Sequence, residues 1–295
     1  MGCSAAMVCG RTFTVCGGCH IDRQLRLTER PVPGRTNPAQ AGERLGGVAT
    51  NIACQLASWG AAARLVSVHP ADSLPAMAAR LVTAGVDPWL APLDGDPPGY
   101  TALQAPDGEL LFGAAAMALY DKVTAPLIHP GIVAASGPII LDANFPADTI
   151  STIVGDVAAT RSLFAAGTSV AKVERFTVAL PWLDALVLNR GEAVALLGRE
   201  MAVAAMATAL AEDMRGGGMV LVSDGADMAA LASGDKVVTA NPPRVRLVNA
   251  NGAGDVMAAR LFCDLTGQPD MTPAARLDAA LAAGANHAAG TNAEV

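Results

Sequence analysis

Short, mostly apolar runs alternate along the chain with longer segments in which apolar residues recur every three or four positions. The runs are residues 12–15, 64–68, 138–141, 163–165, 185–188 and 219–223, each bounded by turn formers. A strand that is apolar on both faces belongs in a sheet covered on both sides, so these read as buried parallel strands. The helical segments between them are 49–59, 74–84, 148–159, 192–197 and 203–215, and the Ala-rich stretch 274–289 also reads as helix. This alternation predicts βαβ units, and hence an α/β fold with a doubly wound, mostly parallel sheet flanked by helices.

Two stretches break the rhythm. Residues 24–44 are polar and rich in Pro, Gly and Arg. Residues 88–112 hold two strand-like pieces, 100–103 and 109–112, on either side of Pro106-Asp107-Gly108, which is a hairpin signal. Both read as a small β lid inserted into a single domain spanning 1–295, with residues 1 to about 11 as a loose leader.

Composition narrows the picture. Apolar residues make up 52% and charged residues 16%, as in a folded protein. Aromatics are only 4%, so Ala, Val and Leu must fill the core. The net charge of −7 argues against nucleic acid or an anionic membrane as partner. No apolar run reaches the roughly 18 residues of a membrane span. The start, Met1 to Ala6, lacks a basic region followed by an apolar block, so a cytoplasmic protein is expected. The cysteines are Cys3, Cys9, Cys16, Cys19, Cys54 and Cys263. Cys16-Gly17-Gly18-Cys19-His20 has redox, metal or haem-attachment spacing. A second pair for zinc is missing and the motif follows a buried strand, so unpaired structural thiols in a reducing compartment are expected.

The candidate chemistry concentrates in Asn249-Ala250-Asn251-Gly252-Ala253-Gly254-Asp255, directly before a helical pattern. Gly252, Ala253 and Gly254 would leave bare N–H groups at a helix N-terminus, where the dipole favours an anion. Asp255, beside such an anion, is a poor phosphate ligand but a good general base for a hydroxyl that attacks phosphate. A plain loop with a helix-capping Asp has the same spacing. Asp22 and Asn144 follow predicted strands, at the sheet edge where ligands bind in such folds.

In this order, the motifs resemble those of the ribokinase family, also called the PfkB family of sugar and nucleoside kinases. Gly46-Gly47-Val48-Ala49-Thr50-Asn51-Ile52-Ala53, with Leu56 and Gly60, is similar to the family's N-terminal double-glycine motif. The segment Asn249 to Asp255 is similar to its C-terminal anion-hole motif. Ile21-Asp22, the Asn-x-x-Glu sequence Asn189-Arg190-Gly191-Glu192, and the strand and loop of 220–226 stand in the matching order. Within the family the likeness is greatest to pseudouridine kinases, through the double-glycine segment, Ser169-Val170-Ala171-Lys172-Val173 and Gly290-Thr291-Asn292.

The resemblance implies a ribokinase-like fold whose lid closes over a sugar, and an ATP-dependent phosphotransferase that uses Mg²⁺. The acceptor would be the primary 5′-type hydroxyl of a nucleoside or sugar, pseudouridine first. Asp255 would be the base, and Gly252, Ala253 and Gly254 would hold the phosphoryl charge. Asp22, His20, Gly46, Gly47, Asn51 and Asn144 would line the acceptor site. Asn189, Glu192, Lys172, Ser223, Gly225 and Asn251 would face the nucleotide, with Glu192 on the Mg²⁺ side. Other readings stay open: Asn189 and Glu192 as a helix-capping pair, Asn51 as a buried amide, Lys172 as an exposed cation. A homodimer is implied as well.

The chain also departs from the pattern. His20 stands where many members carry Asn. Asn249 replaces an Asp and Asn251 a Thr, which removes a charge that helps place K⁺. Ala165-Ala166-Gly167 falls where pseudouridine kinases show Asp-Pro, and residues 113–117 lack a polar pair. Kinases for ribose, adenosine or a ketohexose, or a non-catalytic nucleoside sensor of the same fold, are the alternatives.

Overall fold

The computed structural model describes residues 9–291. Met1 to Ala6, including Cys3, and Asn292 lie outside the described residues. In chain order the strands are β1 (Thr12–Cys16), β2 (His20–Leu27), β3 (Ala39–Gly46), β4 (Ala62–His69), β5 (Asp87–Pro92), β6 (Gly99–Gln104), β7 (Leu110–Ala116), β8 (Ile139–Asp142), β9 (Leu163–Ala166), β10 (Ala185–Asn189), β11 (Met219–Ser223), β12 (Ala229–Ser233) and β13 (Lys236–Ala240). The helices are α1 (Val48–Ser58), α2 (Leu74–Thr83), α3 (Ala125–Val133), α4 (Ala147–Val157), α5 (Arg190–Leu197), α6 (Val203–Glu212), α7 (Ala253–Gly267) and α8 (Pro273–Ala288).

The central sheet has the order β13-β12-β11-β10-β9-β8-β1-β4-β5. From β11 to β5 every pairing is parallel. β12 and β13 add an antiparallel edge that the apolar runs did not announce. β8 and β9 are buried at every position, as strands covered on both sides must be. One apolar layer joins the sheet to α3, α4, α5 and α6 through residues such as Ile128, Ile153, Ala193 and Met206. The opposite layer joins it to α1, α2, α7 and α8 through Leu56, Leu81, Phe262 and Leu281. The chain winds outward in both directions from β1, which makes the carboxyl end of β1 the topological switch point, where crevices form in such sheets.

A second sheet, ordered β3-β2-β6-β7, rises from that end. Its limits differ from the expected lid segments. It begins at His20, because β2 and β3 pair from His20 with Gly46 through to Leu27 with Ala39. Residues 88–92 belong instead to β5 of the central sheet, where a Pro-containing strand fits because it is an edge. The Pro-Asp-Gly turn joins β6 and β7, as its residue types predict.

The cysteine expectation is corrected at one pair. Cys9 and Cys263 form a disulfide, with Cα atoms 6.1 Å apart. The backbone N–H of Cys9 also donates to the Trp59 carbonyl at 2.7 Å, so residues 9–11 are anchored rather than loose. Sequence separation hid this contact, since the two residues are 254 apart. Cys16, Cys19 and Cys54 are buried and form no disulfide among the described residues. Burial pushes the Cys16 and Cys19 thiols up to about 12, the opposite of a reactive Cys-x-x-Cys pair. Because the bond closes nearly the whole chain, Cys263→Ser should lower stability by about 2–4 kcal/mol, read from urea unfolding. Identical midpoints for wild type and variant without reductant would show that the bond contributes nothing.

Candidate active site

The crevice is organised around Asp142, at the end of β8 and only 1% exposed. Its Oδ2 accepts from the Gly18 N–H at 2.9 Å, the Ala49 N–H at 3.1 Å and Asn144 Nδ2 at 2.9 Å. Its Oδ1 accepts from the Asn144 N–H at 2.8 Å. A buried carboxylate is tolerable only with such saturation. The result is that the β1–β2 loop, the start of α1 and the end of β8 meet at one anion. Gly47 supports this junction. Its φ of 103° suits glycine, and a Cβ there would strike the Gly18 carbonyl.

Asp255 lies in the first turn of α7, half-buried, facing α1. Asn51 Nδ2 donates to its Oδ2 at 2.6 Å. Asn51, expected to bind the acceptor, therefore has its amide nitrogen committed to Asp255. Its Oδ1 accepts nothing among the described residues. Burial pushes the Asp255 carboxyl up to about 7, against the lowering hydrogen bond from Asn51, with Asp142 and Glu192 raising it further.

Ahead of Asp255 the chain makes a type II turn. Gly252 has φ 86° and ψ −4°, and the Ala253 N–H donates to the Ala250 carbonyl at 3.2 Å. This corrects the expected anion hole at one position: the Ala253 amide is used inside the turn. The amides of Gly252, Gly254 and Asp255 donate to nothing among the described residues. The Asn251 carbonyl lies 2.8 Å from His287 Nε2; a carbonyl can only accept, so Nε2 donates.

These groups open into a cavity of about 400 Å³ lined in part by Asn189, Glu192, Ser223, Asn251, Gly252 and Asp255. Asn189 and Glu192 form a capping box at the start of α5, with Asn189 Oδ1 accepting from the Glu192 N–H at 2.9 Å and Glu192 Oε2 accepting from the Asn189 N–H at 3.0 Å. The capping reading is thus present in the geometry. Glu192 Oε1, however, has no hydrogen-bond partner among the described residues and belongs to the cavity wall. Burial raises the Glu192 carboxyl above its usual range. Gly225 does not join this wall. It sits in the exposed turn beyond β11, where its φ is 60°.

Lys172 is also displaced from its expected place. The turn after β9 carries it over the end of β8, where Nζ donates to Asn144 Oδ1 at 2.8 Å and lies 5.7 Å from the Tyr120 ring centroid. Asn144, expected to touch the acceptor, is 2% exposed, with its side chain spent on Asp142 and Lys172. His20 is likewise engaged on both ring nitrogens: Nδ1 with the Tyr120 hydroxyl at 3.1 Å and Nε2 with Asp22 Oδ1 at 3.3 Å. On the other side of Asp22, Arg44 Nη2 donates to Oδ2 at 3.5 Å. Gly46 lies flush against this carboxylate, where a Cβ would collide with it. Sequence reasoning missed Tyr120 and Arg44. Arg44 was legible only through the β2–β3 register, which sets it opposite Asp22. Tyr120 carried one weak signal, as one of two tyrosines in a chain poor in aromatics.

A carboxyl pushed up to about 7 by burial thus stands beside helix-terminal amides that no described residue engages, an arrangement suited to holding an anion. The profile of the pfkB family carbohydrate kinases matches residues 12–294. The chain belongs to this family, and is a carbohydrate kinase whose relatives are ATP-dependent phosphotransferases. Among curated proteins no sequence matches. A carbohydrate kinase from Agrobacterium tumefaciens superposes with a TM-score of 0.80 at 29% identity, covering 93% of this chain and 90% of that one. Ribokinase from Thermotoga maritima gives 0.77 at 19% identity over 94% and 93%. Phosphofructokinase-2 from Escherichia coli, in complex with fructose-6-phosphate, gives 0.77 at 16% over 94% and 93%. The latter two show the shared fold.

The raised Asp255 carboxyl has a consequence for stability. Between its usual value and about 7 the folded protein keeps a proton that the unfolded chain has lost, so this group's contribution falls as pH rises through that window. Asp255→Asn removes the effect. Urea unfolding should show the variant gaining on wild type between about pH 4 and about pH 7, and no further above that. A gap that does not change with pH would mean that Asp255 titrates as an ordinary carboxyl.

Proposed function

We propose that this kinase transfers the γ-phosphoryl group of ATP to the primary, 5′-type hydroxyl of a nucleoside or sugar, with pseudouridine as the first candidate. The observation that carries the reading is Asp255, pushed up to about 7 and held by Asn51 beside the unpaired Gly252 and Gly254 amides. A base of that strength matches proton removal near neutral pH. Asp255 takes the hydroxyl proton as the oxygen attacks the γ-phosphorus. The new P–O bond forms as the bond to the ADP oxygen breaks. The amides receive the charge on the phosphoryl oxygens, in a reaction governed by placement and electrostatics. Asp22 accepts hydrogen bonds from the acceptor's hydroxyls, and the small sheet serves as the lid above them.

The Asn189, Glu192 and Ser223 side of the cavity takes the nucleotide. Glu192 Oε1 fits Mg²⁺, which favours one carboxylate plus waters. When bound, the ion neutralises phosphate charge. K⁺ has no part in this reading, because His287 engages the Asn251 carbonyl and Asn249 is uncharged. ATP is an intracellular donor, so the reading carries a cytoplasmic location with it. The Cys9–Cys263 bond is compatible with that place because both residues are under 5% exposed and shielded from reductant.

ADP release should be measured with pseudouridine, ribose, adenosine and a ketohexose. Turnover is expected to be fastest with pseudouridine. Asp255→Asn should lower kcat about a thousandfold with acceptor binding retained. Glu192→Gln keeps the capping box and should raise the Mg²⁺ needed for half-maximal rate about tenfold. An undiminished rate in Asp255→Asn would remove the base role. No turnover with any acceptor would leave the sensor reading.

A second copy of the chain is the partner we propose for β7. This strand is one of the two edges of the small sheet among the described residues, and it is apolar throughout, with Phe112 76% exposed. Uncovered apolar edges are an aggregation hazard unless paired. Sedimentation velocity should show a dimer for wild type and a monomer for Phe112→Glu. A monomeric wild type would refute the interface.

A further inference from the structure

We propose that Tyr120 is a positioning residue for Asp22, acting through the tautomer of His20. The inference rests on the reading above, in which Asp22 holds the acceptor's hydroxyls. Tyr120 is fully buried in the 3₁₀ turn Ala118–Lys122. Its hydroxyl oxygen accepts from the Cys19 backbone N–H at 2.7 Å, because a backbone N–H can only donate. The hydroxyl proton must then find its own acceptor, since a buried donor left unpaired is costly. Among the described residues the one group placed to take it is His20 Nδ1, at 3.1 Å.

That assignment determines the imidazole. With Nδ1 accepting, the neutral ring carries its proton on Nε2, which points at Asp22 Oδ1 3.3 Å away. The chain of donation runs from the Cys19 N–H to the Tyr120 hydroxyl, on to His20 Nδ1, and from His20 Nε2–H to Asp22. His20 is itself only 6% exposed, so water does not compete readily for either nitrogen. One carboxylate oxygen of Asp22 is thereby held from behind. Oδ2 accepts a long hydrogen bond from Arg44 Nη2 at 3.5 Å and keeps a second lone pair for an incoming hydroxyl.

Without the Tyr120 hydroxyl, Nδ1 has no donor and the ring can move its proton there. Nε2 would then present a lone pair to Asp22, and the carboxylate would lose both its orientation and its donor. The ring of Tyr120 packs in the apolar layer and lies under Lys172, and Tyr120→Phe leaves those contacts in place. The substitution thus isolates the hydroxyl. His20→Asn removes the imidazole through which Tyr120 would reach Asp22.

Two measurements test the assignment. Nitrogen-15 NMR of the imidazole rings, with the His20 signals identified by their loss in His20→Asn, should show the Nε2–H tautomer in wild type. A mixture should appear in Tyr120→Phe. An Nδ1–H tautomer in wild type overturns the proposal, and this readout needs no turnover, so it stands apart from the choice of substrate. In steady-state kinetics, Tyr120→Phe should raise KM for the acceptor about tenfold, with kcat and KM for ATP held within about twofold. On the His20→Asn background the same change should have no further effect. An equal KM increase on both backgrounds would mean that Tyr120 acts by packing and not through His20.

Discussion

The buried Asp142 carboxylate is the constraint on which the crevice depends. Four N–H groups converge on it from the β1–β2 loop, the start of α1 and its own strand end. These donors have no other partner among the described residues. Removing the anion would leave several buried N–H groups unpaired at once, which costs far more than one hydrogen bond. The junction also determines where α1 starts, and α1 carries Asn51 to Asp255. The contact that holds Asp255 therefore traces back to a residue that does not touch it.

Polar groups in this site are arranged in layers. Those in front, Asp22, Asp255 and Glu192, each keep an oxygen or an edge free for a ligand. Those behind, His20, Asn144 and Asn51, spend their donors on the front layer or on Asp142. Such backing restricts side-chain freedom before a ligand arrives, which reduces the ordering cost of binding. A chain with so few aromatics relies on this hydrogen bonding for precision, because it has few flat, rigid side chains to do the same by packing.

The double winding of the sheet was legible because its cause is local: strands covered on both faces must be apolar throughout, and helices between them must be amphipathic. The start of α7 was legible for a similar reason, since small residues ahead of an apolar helical pattern mark a turn into a helix, as found with Gly252 just before Ala253. The antiparallel edge β12–β13 was not legible, because edge strands are half-exposed and carry no continuous apolar run. The assignment of residues 88–92 to the small sheet failed at another edge, where two prolines obscured a strand that pairs on one side only.

Sequence by itself determined which residue types were available at the site and in what order along the chain, because those follow from spacing and from the local demands of turns and helix ends. Tertiary structure alone decided their partners. Asn51 meets Asp255, Lys172 meets Asn144, Tyr120 meets His20, and Cys9 meets Cys263, each across a long stretch of chain. The physical reason is that a hydrogen bond or a disulfide needs two groups within a few ångströms. That proximity is a property of how the sheet and its helices stack, and local spacing does not encode it.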